Sequence, residues 1–167
     1  MEDKDYKRRM QLHGQELYEK YMSLYQDDRS YEELFLSMES FFKNRSPELK
    51  ELDSKREKNP FWFRDKNMLG MTMYPNLFAG NLKGLIQNLD YLSEQKITYL
   101  HLMPLLKMPH PYNDGGYAIE DFRTVDPEIG TNEDLEELTK ALRERGISLC
   151  LDFVMNHTAD THERAMR

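Results

Sequence analysis

Three short segments of the sequence carry the side chains that could do chemistry. Asp114-Gly-Gly-Tyr117 joins a carboxylate and a phenol through two glycines. Asp152-Phe-Val-Met-Asn-His157 brings a carboxylate, an amide and an imidazole together. The third segment, Tyr99-Leu-His-Leu-Met-Pro-Leu105, is mostly apolar. An aromatic face beside charged groups suits a ring that carries hydroxyls, because the face stacks on the ring while the polar groups hydrogen-bond its rim.

Each of these polar side chains also has a purely structural interpretation. Asp152 lies at the end of a predicted strand, where a structural hydrogen-bond role is favoured over that of a reacting acid. Asp114 followed by glycine is typical of a turn, although the diglycine also lets the backbone approach a ligand closely. His157 alone would be a structural histidine, and it becomes a candidate binding residue only with the neighbouring motifs.

Helices are predicted for residues 1–59. One apolar stripe recurs at helical spacing and consists of Tyr31, Leu34, Phe35, Met38, Phe41 and Phe42. Ser30 followed by Glu33 predicts a capping box at the start of that helix. Ser46-Pro47 predicts another helix start, and that helix should end before Asn59-Pro60.

Strands and helices alternate in residues 60–167. Strands are predicted at 69–74, 97–103 and 147–153, with helices between them and a long polar loop from Pro104 to Gly130. Thr131, with Asp134 at the third helical position, predicts the second helix cap. The alternation predicts parallel strands, and in such sheets functional residues collect at the carboxyl ends of the strands.

Composition excludes several classes of protein. The 167 residues include 23 Lys and Arg against 30 Asp and Glu, a net charge of −7, so a nucleic-acid partner is not expected. No apolar run approaches the ~18 residues of a membrane span, and no secretory signal is visible. A single cysteine, Cys150, excludes an internal disulfide and fits a reducing, cytoplasmic location.

The three segments, together with Val125-Asp-Pro127 and Gly130-Thr131, resemble the α-amylase superfamily of glycoside hydrolases and transglycosidases, and most of all amylosucrase. The resemblance covers about residues 60–167. It implies an α/β fold in which an all-helical segment, 1–59, precedes the first three β/α units of an incomplete (β/α)8 barrel. A complete barrel needs about 250 residues.

The resemblance also implies a role for each matching residue. Asp114 corresponds to the aspartate at the bottom of the glucosyl subsite, and Tyr117 to the platform on which the glucosyl ring stacks. His157 corresponds to the histidine that contacts the sugar's hydroxymethyl group. Asp152 corresponds to a buried supporting aspartate. Asn156 matches a position that binds calcium in many amylases, but amylosucrases generally lack that calcium, so no metal and no cofactor is expected.

The remaining histidines show no pattern that predicts a metal site. His101 lies inside a predicted strand and is interpreted as structural. His13, His110 and His162 do not pair with a carboxylate on one helical face.

The carboxylates that would break a glycosidic bond are not among these motifs. Retaining chemistry needs two carboxyl groups about 5–5.5 Å apart. The resemblance places the nucleophile on a fourth strand, in a Gly-x-Arg-x-Asp motif that does not occur in this sequence. We therefore expect an N-terminal fragment with no catalytic residues, with sucrose or the glucosyl unit of an α-glucan as ligand. We also expect it to self-associate.

Two alternatives remain open at this point. The parent enzyme could instead be a trehalose synthase, an α-glucosidase or a sucrose hydrolase, because acceptor choice depends on later loops. The chain could also be a non-catalytic interaction or regulatory protein, in which the helical segment binds a partner.

Overall fold

The computed structural model describes residues 4–166 and divides the chain into two compact units. The first is Met1–Trp62 and the second is Phe63–Arg167. The sequence pattern predicts a division after residue 59. None of the described helices combines the length and hydropathy needed to cross a membrane.

The first unit contains three helices, α1 (Lys4–Tyr25), α2 (Asp28–Asn44) and α3 (Pro47–Lys58). The start of α3 is confirmed, because the Ser46 side chain accepts a hydrogen bond from the Leu49 amide. The capping box predicted at Ser30 is wrong. The helix begins earlier, with Asp27 as N-cap accepting from the Arg29 amide, because an aspartate is at least as good a cap as a serine. A 3-10 turn, Trp62–Arg64, follows α3.

Aromatic rings pack α1 against α2. The Tyr6 ring contacts Phe42 at a centroid distance of 5.3 Å and Phe35 at 6.4 Å. Phe42 is buried, whereas Phe41 is 67% exposed. Phe41 therefore does not belong to the buried stripe, since two adjacent helical positions point about 100° apart. Arg45 and Asp53 join the end of α2 to α3 through paired hydrogen bonds of 2.6 and 2.8 Å.

The second unit is built on a three-stranded parallel sheet. Its strands are β1 (Gly70–Met73), β2 (Tyr99–Leu102) and β5 (Ser148–Leu151), in the order β1-β2-β5. Met73 pairs with Leu102, which pairs with Leu151, so the three carboxyl ends are level. This confirms the α/β fold predicted from the alternation of strands and helices.

Helices complete each connection between the parallel strands. The first connection consists of α4 (Pro75–Ala79), α5 (Leu82–Gln87) and α6 (Leu89–Glu94), and the last contains α7 (Asn132–Glu144). The predicted cap of α7 is confirmed, because Thr131 Oγ1 accepts from the Asp134 amide while the Asp134 carboxylate accepts from the Thr131 amide.

Leucines from the helices and from β2 form the core of this unit. The side chains that are fully or almost fully buried include Leu82, Leu85, Leu89, Leu92, Leu100, Leu102, Leu138 and Leu142. β2 is central and contributes Leu100 and Leu102, which share one face of the strand, while Tyr99 and His101 on the opposite face are half-buried.

The sequence pattern predicts a long polar loop between β2 and α7, but the structure shows that this segment contains a second, small sheet. It contains β3 (Leu106–Lys107) and β4 (Asp121–Val125), which pair antiparallel with a register shift. Lys107 and Glu120 also form an ion pair of 3.1 Å. A two-residue strand is too short to produce the alternation from which strands are recognised in a sequence.

Candidate functional site

Polar residues follow two of the three parallel strands at the edge where their carboxyl ends meet. Tyr74 comes directly after β1, Met103 after β2 and Asp152 after β5. The hydrogen bonds between the strands continue to this edge. The Met103 amide donates to the Met73 carbonyl, and the Asp152 amide donates to the Leu102 carbonyl. The sheet therefore presents Tyr74 and Asp152 on the edge at which function is expected.

The diglycine segment forms a tight 3-10 turn, Asp114–Gly116. Three successive residues have positive φ, namely 51° at Asp114, 66° at Gly115 and 94° at Gly116. Asn113 Oδ1 accepts from the Gly116 amide at 3.1 Å. The Tyr74 hydroxyl donates to the Gly115 carbonyl at 3.2 Å, so the residue that follows β1 holds the turn against the edge of the sheet.

Tyr117 and Asp152 are brought together by the fold. The Tyr117 hydroxyl donates to Asp152 Oδ2 at 2.8 Å, across 35 positions of sequence. The pKa of Tyr117 is raised above its usual value, first by this hydrogen bond to the carboxylate and then by desolvation. This hydrogen bond holds the Tyr117 hydroxyl beside the residue that follows β5.

Asp114, Asn156 and His157 are exposed. Asn156 Nδ2 lies 3.3 Å from His157 Nδ1. Within residues 4–166, no side-chain hydrogen bond joins Asp114 or His157 to Tyr117 or Asp152. The sugar-binding roles of Asp114, Tyr117 and His157, and the supporting role of Asn156, stay predictions.

A cavity of about 350 Å³ adjoins the diglycine turn. Gly115 and Gly116 line it, as do Tyr74, His110, Asp126 and Glu128, whereas Asp114, Tyr117 and His157 do not. The Asp126 side chain is 1% exposed, and His110 Nε2 lies 3.0 Å from its Oδ2. The pKa of His110 is raised, principally by this hydrogen bond.

Sequence reasoning missed this second group of polar residues. It sets His110 aside because no carboxylate lies near it on a helix, and it uses Val125-Asp-Pro127 only as part of a resemblance. The available signal is a pair of acids, Asp126 and Glu128, directly after β4. Pairing of β3 with β4 brings His110 to them, and this pairing is a tertiary feature.

Comparison with known proteins gives one family match. The sequence model of the family described as "Alpha amylase, catalytic domain" matches residues 39–167 of this chain. An alpha-glucosidase of Schizosaccharomyces pombe is 38% identical over 111 residues, which cover 62% of this chain and 18% of that protein. An amino acid transporter heavy chain of Rattus norvegicus is 40% identical over 97 residues, covering 54% of this chain and 14% of the relative.

Solved structures also align with this chain. A crystal structure of a MutB mutant in complex with the substrate sucrose aligns with a TM-score of 0.56 and 35% sequence identity. The alignment covers 64% of this chain and 20% of that one. The chain therefore spans about a fifth of the length of the proteins that it matches.

Proposed function

The chain belongs to the alpha-amylase family, and from that membership we propose that it forms part of a glycoside hydrolase or transglycosidase that binds an α-linked glucosyl unit. The observation that carries the proposal is the 2.8 Å hydrogen bond between Tyr117 and Asp152. It ties the residue after the diglycine turn to the end of β5, the two motifs on which a glucosyl subsite depends.

The chemistry of this edge suits a pyranose. The Tyr117 ring is half-buried, and its hydroxyl is occupied by Asp152, which leaves the ring face as the part available for stacking. Asp114 and His157 are exposed and supply an acceptor and a donor for sugar hydroxyls. Asp152, which accepts the hydrogen bond from the phenol, supports the ring in this proposal and is not the reacting acid.

Within this class we propose a sucrose-acting, amylosucrase-like parent. The support is the Tyr99–Leu105 segment, which resembles amylosucrases, and the similarity to a sucrose-bound MutB mutant. Such an enzyme would transfer the glucosyl unit with retention, to a growing α-glucan or to water. This chain would contribute one wall of the subsite, and the reacting carboxylates would come from outside it.

Glucose titration of the ¹⁵N-labelled chain, followed by NMR, tests the glucosyl subsite. We expect saturable shifts at millimolar glucose, centred on the diglycine turn and the residues after β5. Tyr117→Ala should abolish the shifts, while Tyr117→Phe should keep the stacking face and part of the affinity. Tyr25→Ala, in the helical unit, is the matched control and should bind as the parent chain does. Saturation that persists in Tyr117→Ala would refute the assignment.

A second candidate function is a non-catalytic one. The observation that favours it is the similarity to the amino acid transporter heavy chain, whose name describes a partner subunit and not a hydrolase. The discriminating result is simple. A chain that binds no glucose, yet folds or gains stability only with a protein partner, would support the interaction function over the sugar-binding one.

A further inference from the structure

A group of three potential metal ligands meets beside the diglycine turn and outside the proposed glucosyl subsite. His110, Asp126 and Glu128 each offer one ligand atom, and these atoms lie within 4.8 Å of one another. All three residues line the cavity of about 350 Å³. We infer that they bind a divalent transition-metal ion of the Zn²⁺ type at the wall of this cavity.

Asp126 supplies the buried anchor of the site. Its side chain is 1% exposed, although a buried carboxylate is costly unless it is compensated. Oδ1 accepts from the Glu128 amide at 3.0 Å, and Oδ2 accepts from the Met108 amide at a longer 3.3 Å. These contacts fix both oxygens in place, and Oδ2 faces His110. A cation at Oδ2 would compensate the buried charge.

The ligand atoms need only a small rotation to reach one ion. His110 Nε2 is 3.0 Å from Asp126 Oδ2, and the three ligand atoms, one from each residue, lie within 4.8 Å of one another. Ligands bound at about 2.0–2.2 Å lie no more than about 4.4 Å apart across the metal. The His110 side chain is 40% exposed and that of Glu128 is 75% exposed, so both have room for the small rotation that binding requires.

The donor set selects the kind of ion. One imidazole nitrogen and two carboxylates suit Zn²⁺ and neighbouring first-row metals, whereas Ca²⁺ and Mg²⁺ prefer oxygen ligands alone. Three protein ligands leave a position for water, and the cavity provides the space for it.

The proposed site connects two parts of the fold that the sequence separates. His110 precedes the diglycine turn, and Asp126 and Glu128 follow β4. A bound ion would therefore hold the segment that leads into Asp114. This inference does not rest on the sugar-binding proposal, because none of the three residues belongs to the glucosyl subsite.

Calorimetric titration of the chelator-treated, 167-residue chain with ZnCl2 near neutral pH tests the proposal. We expect one ion per chain, and His110→Ala and Glu128→Gln should each weaken binding by about tenfold or more. His13→Ala and Glu133→Gln are matched controls on helices elsewhere and should bind as the parent chain does. Circular dichroism checks that each variant is folded, and Asp126→Asn serves as a further variant only if it folds.

Cobalt provides an independent readout. Co²⁺ bound by one histidine and two carboxylates should give visible absorption bands that disappear in His110→Ala and are displaced by Zn²⁺. Absence of Zn²⁺ binding at millimolar concentration would overturn the proposal and leave His110 as a simple ion-pair partner of Asp126. Equal affinity of the His110→Ala and parent chains, or binding of Ca²⁺ as tight as that of Zn²⁺, would also overturn it. A failed glucose titration would leave these outcomes unchanged.

Discussion

The hydroxyl of Tyr117 donates a 2.8 Å hydrogen bond to Oδ2 of Asp152. This bond joins the turn after β3 to the residue directly after β5, which belong to separate motifs in the sequence. It brings both motifs to the edge of the parallel sheet where the carboxyl ends of the strands meet. The candidate subsite depends on this contact, and the first prediction follows from it.

Removing the Asp152 carboxylate should lower the pKa of Tyr117. The hydrogen bond raises this pKa above its ordinary value of 10.0 because it favours the neutral phenol. Asp152→Asn should return the pKa towards that value, as measured from the ¹³Cζ shift of Tyr117 against pH. Asp160→Asn, which removes an exposed carboxylate that is not the Tyr117 partner, is the matched control and should leave the pKa unchanged.

The sign of the pH dependence follows from the same bond. A group with a raised folded-state pKa contributes its stability below the ordinary pKa and loses that contribution as the pH rises through the folded-state pKa. The parent chain should therefore lose stability more steeply than Asp152→Asn above pH 10.0. Parallel alkaline unfolding curves for the two chains would contradict this.

Gly116→Ala should destabilise the second unit more than Gly80→Ala. Both glycines have positive φ, 94° and 82°, so an alanine at either position is strained in its backbone. A Cβ at Gly116 would also lie 3.1 Å from Pro104 Cβ, while at Gly80 it would meet nothing within 4 Å. Thermal unfolding measures the difference. Equal losses of stability in the two variants would mean that Pro104 moves away from the new Cβ and that the turn is not tightly packed.

The chain by itself should release no fructose from sucrose. Retaining cleavage needs a nucleophile and an acid/base carboxylate about 5–5.5 Å apart, and the Gly-x-Arg-x-Asp motif that would carry the nucleophile does not occur in this sequence. A coupled assay for fructose, with a known sucrose-cleaving enzyme as positive control, measures this. Turnover above the blank, or a glucosyl adduct on the protein seen by mass spectrometry, would show that the expectation is wrong.

The chain should self-associate through the β5 edge of its sheet. β5 is an edge strand, and exposed apolar side chains lie along and after it, at Leu151, Phe153 and Met155. An open apolar edge is a template for further pairing. Sedimentation velocity across a concentration series should show association that Leu151→Lys reduces. Leu77→Lys, at a more exposed leucine on α4, is the matched control.

An effect of both lysine substitutions would indicate general repulsion between charged chains and not a specific edge. A strictly monomeric parent chain that binds no hydrophobic dye would contradict the prediction altogether.

Local patterns in the sequence determined the order and type of the main elements. The Ser46 and Thr131 caps lie where their hydroxyls predict, since a cap depends on residues within one helical turn. Alternating strands and helices predict parallel β1, β2 and β5, and the diglycine motif predicts a turn. The cap of α2 was predicted wrongly at Ser30, because the competing aspartate, Asp27, lies only three residues away.

Only the tertiary structure decided which distant side chains meet. Pairing of β3 with β4 brings His110 to Asp126, and the diglycine turn, which accepts a hydrogen bond from the Tyr74 hydroxyl, brings Tyr117 to Asp152 at the end of β5. A motif reports the chemistry of neighbouring residues, but contacts between segments arise from strand pairing and core packing across the chain. That is why the sequence determined the candidate sugar-binding residues one by one, whereas the fold revealed both the Tyr117–Asp152 support and the His110 cluster.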